Sequence, residues 1–305
     1  MKKRVLMLYY SQTGQQLSIL QSLAAPIIAA GHDVHFEVIQ PAEKFPFPWS
    51  AYTFFNAFPE TFQQKPLPLK PLTPAAFESY DLVVLGYQPW FLTPSRPIGA
   101  FLQSDEGKRI LNNKNIVTIL GCRNMWLGAQ EKVKKRLVDA KAHLKGHIAL
   151  VDRSGNLISL ITILRWLLTG NKGAFLFFPP AGVSESDIKE AGKFGETIAH
   201  ALGRNEYTNL QNDLLQKGAV EVKPSLVLLE NRGQKGFALW SRFIASGGTL
   251  HSTGRKIRVY IFLWVLLPAI FVLSPLLWTL SKIMLITNRR QLSDEVEYYK
   301  QITLR

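Results

Sequence analysis

Residues 4–16 read RVLMLYYSQTGQQ, a largely apolar run that passes directly into a polar turn with a single glycine. The apolar part, residues 4–10, predicts a buried β-strand, and residues 16–30 predict a helix that ends at Gly31. A strand, a short turn and a helix form the opening half of a βαβ unit. Ligands of such sheets bind at the carboxyl ends of the strands, so chemistry is expected at this turn.

The same alternation of apolar runs and helical stretches continues along the chain and is typical of a parallel α/β sheet. Ser184, with Asp187 three residues later, resembles a capping box and predicts the last helix of the sheet domain, which ends at Gly203. Residues 41–74 contain eight prolines among aromatic residues, which indicates an irregular excursion. The remaining predicted elements are helices over 97–103 and 129–144 and strands over 33–39, 81–87, 115–121 and 147–152.

Together these elements predict an α/β fold, a doubly wound five-stranded parallel sheet in residues 1–203 with an apolar insertion near 153–180. Residues 204–256 are polar, rich in Gly, Lys and Arg, and give only weak helical cues, so a connecting region is expected there. Residues 257–305 are expected to form a C-terminal hydrophobic helical extension that associates with a membrane and ends in a basic tail.

The composition narrows the class of protein. With 47% hydrophobic and 19% charged residues, the 305-residue chain can bury a large core, which excludes disorder for most of it. A single cysteine, Cys122, excludes an internal disulfide and fits a reducing compartment. The net charge of +14 favours an anionic surface, ligand or partner.

Neither nucleic acid nor a metal is expected as a ligand. The basic run at 132–136 has no aromatic platform beside it, and His143 and His147 have no third ligand nearby.

The segment Val259–Ser281 contains 23 residues without a charge, enough to cross a bilayer as a helix. Pro268 and Pro275 interrupt it, so a kinked span and a hairpin within one leaflet are both consistent with the pattern. Basic residues flank both ends, which suits a monotopic element on an anionic leaflet, although an apolar helix in a soluble core or dimer interface is the alternative. The N-terminus lacks the hydrophobic region of a signal peptide. We therefore expect a peripheral or monotopic protein on the cytoplasmic side of the inner membrane.

A second apolar segment, Leu157–Thr169 (LISLITILRWLLT), is too short to span a bilayer. It could lie in the membrane interface or line a lipid-sized pocket. An ordinary core helix is equally consistent with its pattern.

The turn after the first strand has the chemistry of a phosphate site. It offers hydroxyl and amide side chains, a flexible glycine, backbone N–H groups and the positive end of a helix dipole. It contains no lysine, so it is not an ATP-binding P-loop. The predicted phosphate-binding residues are Ser11, Gln12, Thr13, Gly14, Gln15 and Gln16.

Three segments of this sequence resemble flavodoxin-like proteins. LYYSQTGQ (8–15) is similar to their phosphate loop, with Gln16 standing where the pattern has a final Thr. DLVVLGYQPWFLTPSRPIGAFL (81–102) looks like their third strand and the aromatic loop after it. GCRNMW (121–126) stands where the second flavin-contacting loop of the family lies.

The resemblance implies that the protein binds FMN, with Trp90 against the isoalloxazine ring and Phe91, Met125 and Trp126 as further walls. It also implies that Arg123, if it points inward, is the catalytic residue that stabilises the negative charge of reduced flavin. Besides the phosphate turn, the residues expected to hold the cofactor are Gln88, Pro89, Trp90, Phe91, Gly121, Cys122, Arg123, Asn124 and Trp126.

Within that family, the opening KKRVLMLYYSQTGQ, the length and the apolar insertions look like dialkylresorcinol condensing enzymes. This resemblance implies an FMN-dependent aromatase that oxidises a dialkylcyclohexanedione, a lipid-like substrate, and that accompanies a ketosynthase. A membrane-associated NAD(P)H quinone reductase is the first alternative. A non-catalytic flavin-binding partner subunit of a ketosynthase is the second.

Overall fold

The computed structural model describes residues 1–266, 268–269 and 289–305. Within them, a parallel sheet of five strands lies beside a small antiparallel ribbon of two short strands. In chain order the strands are β1 (Arg4–Tyr9), β2 (Asp33–Val38), β3 (Leu82–Tyr87), β4 (Pro89–Trp90), β5 (Thr93–Pro94), β6 (Asn115–Cys122) and β7 (His143–Val151).

The large sheet has the strand order β2-β1-β3-β6-β7, and every neighbouring pair is parallel. This is the flavodoxin-like doubly wound order, in which the direction of winding reverses between β1 and β3. The predicted fold class and all five predicted strands are therefore confirmed. The crevice outside the carboxyl ends of β1 and β3 is the expected place for a ligand.

The helices cover the sheet and build an extension beyond it. In chain order they are α1 (Gln15–Ala29), α2 (Ala51–Asn56), α3 (Phe58–Phe62), α4 (Arg96–Phe101), α5 (Asp105–Leu111), α6 (Leu127–Asp139), α7 (Asn156–Thr169), α8 (Glu185–Glu190), α9 (Gly192–Arg204), α10 (Leu210–Gln216), α11 (Pro224–Ala245), α12 (residues 253–266) and α13 (Arg289–Lys300).

Two helix boundaries show how local chemistry sets the elements. The Ser184 hydroxyl accepts a hydrogen bond from the Asp187 backbone N–H at 3.0 Å, so the predicted N-cap is confirmed. The predicted helix over 129–144 is wrong at its end, because α6 stops at Asp139. Lys141 has a left-handed φ of 56°, and the chain then enters β7 at His143.

The 204–256 stretch contains α10, α11 and the start of α12, and α10 and α11 pack against the rest of the protein, in contrast to the connecting region expected there. From α10, Leu210 and Leu214 are buried in the core of the sheet domain. From α11, Val227 joins the same core, and Ile244 joins a second one. The apolar residues of these helices are spaced among many polar ones, which explains their weak signal in the sequence.

The second core is largely aromatic and joins α2 and α3 to the C-terminal extension. Its buried members are Phe55, Phe58, Ile244, Val259 and Phe262. The Phe58 and Phe262 rings stack with 5.1 Å between centroids and 11° between planes. The extension is thus part of the folded body through α12.

The last helix, α13, returns to the sheet domain. Val296 and Tyr299 pack against the main core, and the Gln211 side chain donates a hydrogen bond to the Lys300 carbonyl at 2.8 Å. The predicted apolar segment 259–281 lies mostly outside the described residues. Among those that are described, no helix is both long enough and apolar enough to span a bilayer.

Candidate functional site

The turn after β1 leads into a helix start with free backbone donors. Gly14 is the N-cap of α1, with a left-handed φ of 85° that glycine adopts at no steric cost. The first intrahelical bond runs from the Ser18 N–H to the Gly14 carbonyl, so the N–H groups of Gln15 to Leu17 have no acceptor within the helix. These donors and the helix dipole favour an anion at this point.

Ser11 adds a side chain to the same place. Its hydroxyl oxygen is buried and has no hydrogen-bond partner among the residues that the structure describes. A buried polar atom of this kind normally has a partner, so an unpartnered one beside a helix N-terminus fits a missing ligand.

The side chains of the three glutamines in this turn form hydrogen bonds with other parts of the protein. The Gln12 amide donates to the Pro46 carbonyl at 3.1 Å. The Gln15 amide donates to the Val183 carbonyl and accepts from the Val183 N–H. Gln16 is buried, and its amide bridges the Ile119 carbonyl and the Gly121 N–H of β6. The Gln16 side chain therefore holds the sheet, and only its backbone N–H remains for a phosphate.

The loop after β3 carries the second set of predicted residues. Gln88 Oε1 is buried without a partner in the described chain. The Trp90 ring meets Tyr10, Phe45 and Trp49 nearly edge-on, at centroid distances of 5.8, 5.1 and 5.8 Å. Pro89 and Trp90 form β4, which pairs with β5 and fixes this loop.

Phe91 lies apart from the aromatic group around Trp90. Its ring contacts Phe54 and Phe58 at 4.8 and 5.1 Å, so it packs with the second core. Its left-handed φ of 51° turns the chain at this point. The structure thus brings Trp90 to the site and directs Phe91 into the second core.

The loop after β6, at the carboxyl end of a strand next to β3, is held by α7. Asn124 is buried, its Nδ2 donates to Asn156 Oδ1 at 3.0 Å, and its own Oδ1 is a third unpartnered atom within the described residues. Arg123 donates to the carbonyl and the side-chain oxygen of Asn156, both at 2.9 Å, and its other terminal nitrogen lies 3.1 Å from Met125 Sδ. Burial lowers the pKa of Arg123 to about 10, so it stays a cation at neutral pH.

Three residues at the end of β6 and in the loop after it are packed against the interior of the protein. Trp126 is 2% exposed and packs against His147, with 5.0 Å between ring centroids, which makes it a core residue and leaves no face for a flavin. Burial raises the pKa of the Cys122 thiol, so it is neutral at physiological pH. Gly121 approaches α1 so closely that a Cβ would lie 2.6 Å from Ile19.

The structure places further residues at the site besides those predicted from the sequence. Phe45 and Trp49 complete the aromatic group around Trp90, and Trp49 Nε1 is also buried without a partner in the described chain. The proline-rich aromatic run at 45–49 could have indicated this. Asn156 and Glu230 hold the 121–128 segment by hydrogen bonds. Their roles could not be predicted from the sequence, because neither residue belongs to a recognisable motif.

These features fit one kind of ligand. The unpartnered atoms of Ser11, Gln88 and Asn124 follow β1, β3 and β6, three neighbouring strands whose carboxyl ends share one edge of the sheet. An anion-binding helix start and an aromatic group lie at the same edge. Such a site suits a planar aromatic molecule with polar edges and a phosphate.

Comparisons with known proteins show likeness in structure only. No protein-family model matches this sequence, and no curated protein matches it. A flavoprotein from Lactobacillus acidophilus in complex with FMN is 17% identical over 48% of this chain and 93% of its own, with a TM-score of 0.40. An archaeal flavodoxin is 9% identical over 66% and 99%, with a TM-score of 0.37. An NAD(P)H:quinone oxidoreductase from Methanothermobacter marburgensis is 10% identical over 65% and 96%, with a TM-score of 0.35. At these values the likeness has no bearing on function, and the fold assignment rests on the sheet topology itself.

Proposed function

We propose that this protein is an FMN-dependent oxidoreductase with a lipid-like substrate. The observation that carries the proposal is the set of three buried, unpartnered polar atoms, on Ser11, Gln88 and Asn124, in the loops after three adjacent strands. The residues present fit FMN. The open N–H groups of α1 and the Ser11 hydroxyl would hold its phosphate, and Trp90 would face its ring.

The chain's own residues set the electrostatics of the site. Arg123 is half-buried and remains protonated, and it forms no ion pair within the described residues. A cation at this point favours negative charge on a reduced isoalloxazine, whose redox chemistry is the transfer of a hydride. In this proposal Arg123 is the catalytic residue.

For the substrate we propose a 2,5-dialkylcyclohexane-1,3-dione that becomes a dialkylresorcinol. That conversion removes two hydrogens from the ring, as a hydride and a proton. Bound FMN would supply the hydride-accepting chemistry, with oxygen or another acceptor as the final oxidant, and water would take the proton. The apolar helix α7, which is joined to Arg123 through Asn156, supports this choice because its side chains suit long alkyl chains.

Flavin titration tests the cofactor and its placement together. We expect the purified protein to bind FMN more tightly than riboflavin, because riboflavin lacks the phosphate. Ser11→Ala should weaken FMN binding by roughly tenfold to a hundredfold, since it removes one hydrogen bond to a charged group, and should leave riboflavin binding unchanged. Ser18→Ala is the matched control, because Ser18 is an exposed serine of α1 whose hydroxyl donates to the Gly14 carbonyl. Equal affinities of the wild type for FMN and riboflavin would overturn the placement of the phosphate.

A further inference from the structure

Helix α7 has its polarity reversed relative to an ordinary surface helix. Its buried residues are Ser159, Thr162 and Trp166, while Leu157 and Ile158 are each 40% exposed and Leu168 is 36% exposed. A helix packed on a soluble core turns its apolar residues inward. The apolar face of α7 therefore points away from the protein body.

The chain after α7 forms a small hairpin with two large apolar side chains at its tip. Phe175 and Phe178 exchange backbone hydrogen bonds of 3.2 and 2.8 Å, and their rings stack at 4.9 Å. Between them, Leu176 is 88% exposed and Phe177 is 85% exposed. Leu176 also has a left-handed φ of 49°, an unfavourable conformation for a bulky residue, so the turn holds these side chains outward at a cost.

Arg165 fixes this hairpin to α7. Its guanidinium lies 4.3 Å above the Phe175 ring and donates to the Gly173 carbonyl at 2.8 Å. It forms no ion pair with any described carboxylate. The tip is thus preorganised, with an unneutralised cation at its base.

A second apolar surface flanks the same part of the molecule. On α12, Trp264 is 78% exposed, and Ile257 and Tyr260 are exposed on the same helix. The short segment 49–52 joins the two surfaces: the Trp49 N–H donates to the Leu167 carbonyl of α7, and the Tyr52 ring stacks on Tyr260 of α12.

The two chain segments that carry these apolar surfaces are rich in basic residues. Residues 153–184 contain three Lys or Arg and no Asp or Glu, and residues 231–293 contain nine Lys or Arg and no Asp or Glu. Arg153, Lys172 and Arg255 pair with Asp187, Glu185 and Glu60, which lie outside these two segments, and Arg165 forms no ion pair with a described carboxylate. Exposed apolar side chains at the tip, with the unpaired cation of Arg165 at its base and an excess of basic residues in the two segments, match the interface of an anionic bilayer. An acidic protein partner would match the charge, but it would not require two fully exposed apolar side chains at a loop tip.

We propose that α7 and the 175–178 hairpin form a membrane-docking face, which inserts Leu176 and Phe177 into the interface of an anionic lipid bilayer. This deepens the proposed function, because α7 is bonded to the 123–124 loop at one end and to Trp49 at the other, so the docked face borders the flavin site. A substrate with alkyl chains would then reach the site from the bilayer.

The docked orientation is also consistent with the path of the chain. Residues 1–266 and 289–305 belong to one folded body, because α13 packs against α11 and the main core. Both parts therefore lie on the same side of any membrane that the protein contacts.

Spin labelling of the full-length protein tests this face directly. A nitroxide is attached to Leu176→Cys and, as a matched control, to Val138→Cys on α6, where Val138 is 59% exposed. Wild type carried through the same reaction reports any labelling of Cys122, which is only partly exposed. Accessibility of the nitroxide to oxygen, relative to a water-soluble nickel chelate, measures insertion into lipid.

We expect the oxygen-to-nickel accessibility ratio at position 176 to rise when vesicles of equal parts phosphatidylglycerol and phosphatidylcholine are added. It should rise much less with phosphatidylcholine alone, and the ratio at position 138 should stay constant. An unchanged ratio at position 176, or an equal rise at both positions, overturns the docking face. An equal response to the two lipid mixtures overturns the requirement for anionic lipid. Because this readout uses no flavin signal, its failure is distinguishable from a failure to bind FMN.

Discussion

Glu230 Oε1 accepts a hydrogen bond of 2.7 Å from the backbone N–H of Gly128, which places a carboxylate of α11 at the start of α6. Its other oxygen accepts from the Leu127 N–H at 3.2 Å. Two of the free donors at this helix start are satisfied from a distant part of the chain. The helix begins directly after the 121–126 loop, so the extension supports one wall of the proposed flavin site.

We predict that Glu230 makes stability fall as pH rises. The side chain is 1% exposed, and burial raises its pKa from 4.5 to about 7, a change that outweighs the hydrogen bonds from Gly128 and Leu127. Between pH 4.5 and about 7, the folded state therefore keeps the proton of Glu230, whereas the unfolded state releases it. The contribution of Glu230 to the free energy of unfolding should be greatest below pH 4.5 and should fall by about 3 kcal/mol as pH rises through 7.

The measurement is urea denaturation of the wild type and Glu230→Gln across this pH range. Because the variant cannot titrate at this position, the difference between the two unfolding free energies should change by that amount between pH 4.5 and 7. Glu297→Gln, at a side chain that is 63% exposed, is the control and should follow the wild type. Parallel pH profiles for the wild type and Glu230→Gln would contradict the burial of an ionising carboxyl.

The sheet could be predicted from sequence because each of its strands is a short apolar run bounded by polar residues, as at 115–121. The Ser184 cap was visible because capping needs particular residue types at a fixed spacing. The helix α11 and the role of Glu230 could not be predicted from the sequence. A single carboxylate in a polar stretch has no pattern, and its role is created only when two distant segments meet. Trp126 is a second example. Its position in the 121–126 loop predicts a place in the flavin site, but its packing against His147 places it in the core.

We predict a large loss of stability when the buried ion pair of the second core is broken. Both terminal nitrogens of Arg255 donate to the Glu60 carboxylate, at 2.8 and 2.6 Å, and Arg255 is 2% exposed. Glu60→Gln leaves the guanidinium without a counter-charge and should lower the unfolding free energy by roughly 3 kcal/mol or more. Thermal and urea denaturation measure the loss.

The exposed pair Lys300–Glu297 is the matched control for that substitution. Glu297→Gln should change stability by no more than about 1 kcal/mol, because water already solvates both of these charges. A similar effect of the two substitutions would show that the Arg255 pair is open to solvent.

We predict that the Trp90 side chain contributes to flavin affinity by contacting the isoalloxazine ring and not the phosphate. Trp90→Ala removes the central member of an aromatic group that includes Tyr10 and Trp49, and an aromatic contact is worth roughly 0.5–1.5 kcal/mol. The affinities for FMN and riboflavin should therefore both fall, by up to about tenfold. Their ratio should stay constant, in contrast to Ser11→Ala.

Phe77→Ala is the control for Trp90→Ala, because Phe77 is an exposed aromatic residue ahead of β3, at the opposite edge of the sheet. Titrations by fluorescence give all the affinities. If Trp90→Ala leaves both flavins bound as in wild type, the ring does not lie against this side chain.

We predict that Arg123→Ala retains FMN but oxidises a 2,5-dialkylcyclohexane-1,3-dione more slowly, by roughly 10- to 1,000-fold, because a cation that favours negative charge on the reduced flavin is lost. Arg153→Ala is the matched control, since Arg153 follows β7, the strand next to β6, but pairs with Asp187 on the surface. The dione is mixed anaerobically with each variant, and the decay of the oxidised flavin band gives the rate. Wild type and Arg153→Ala should bleach alike, and Arg123→Ala should bleach slowly. If the wild-type band is unchanged by the dione while NADPH bleaches it rapidly, the protein takes its electrons from a nicotinamide, and the reaction runs in the direction of a quinone reductase.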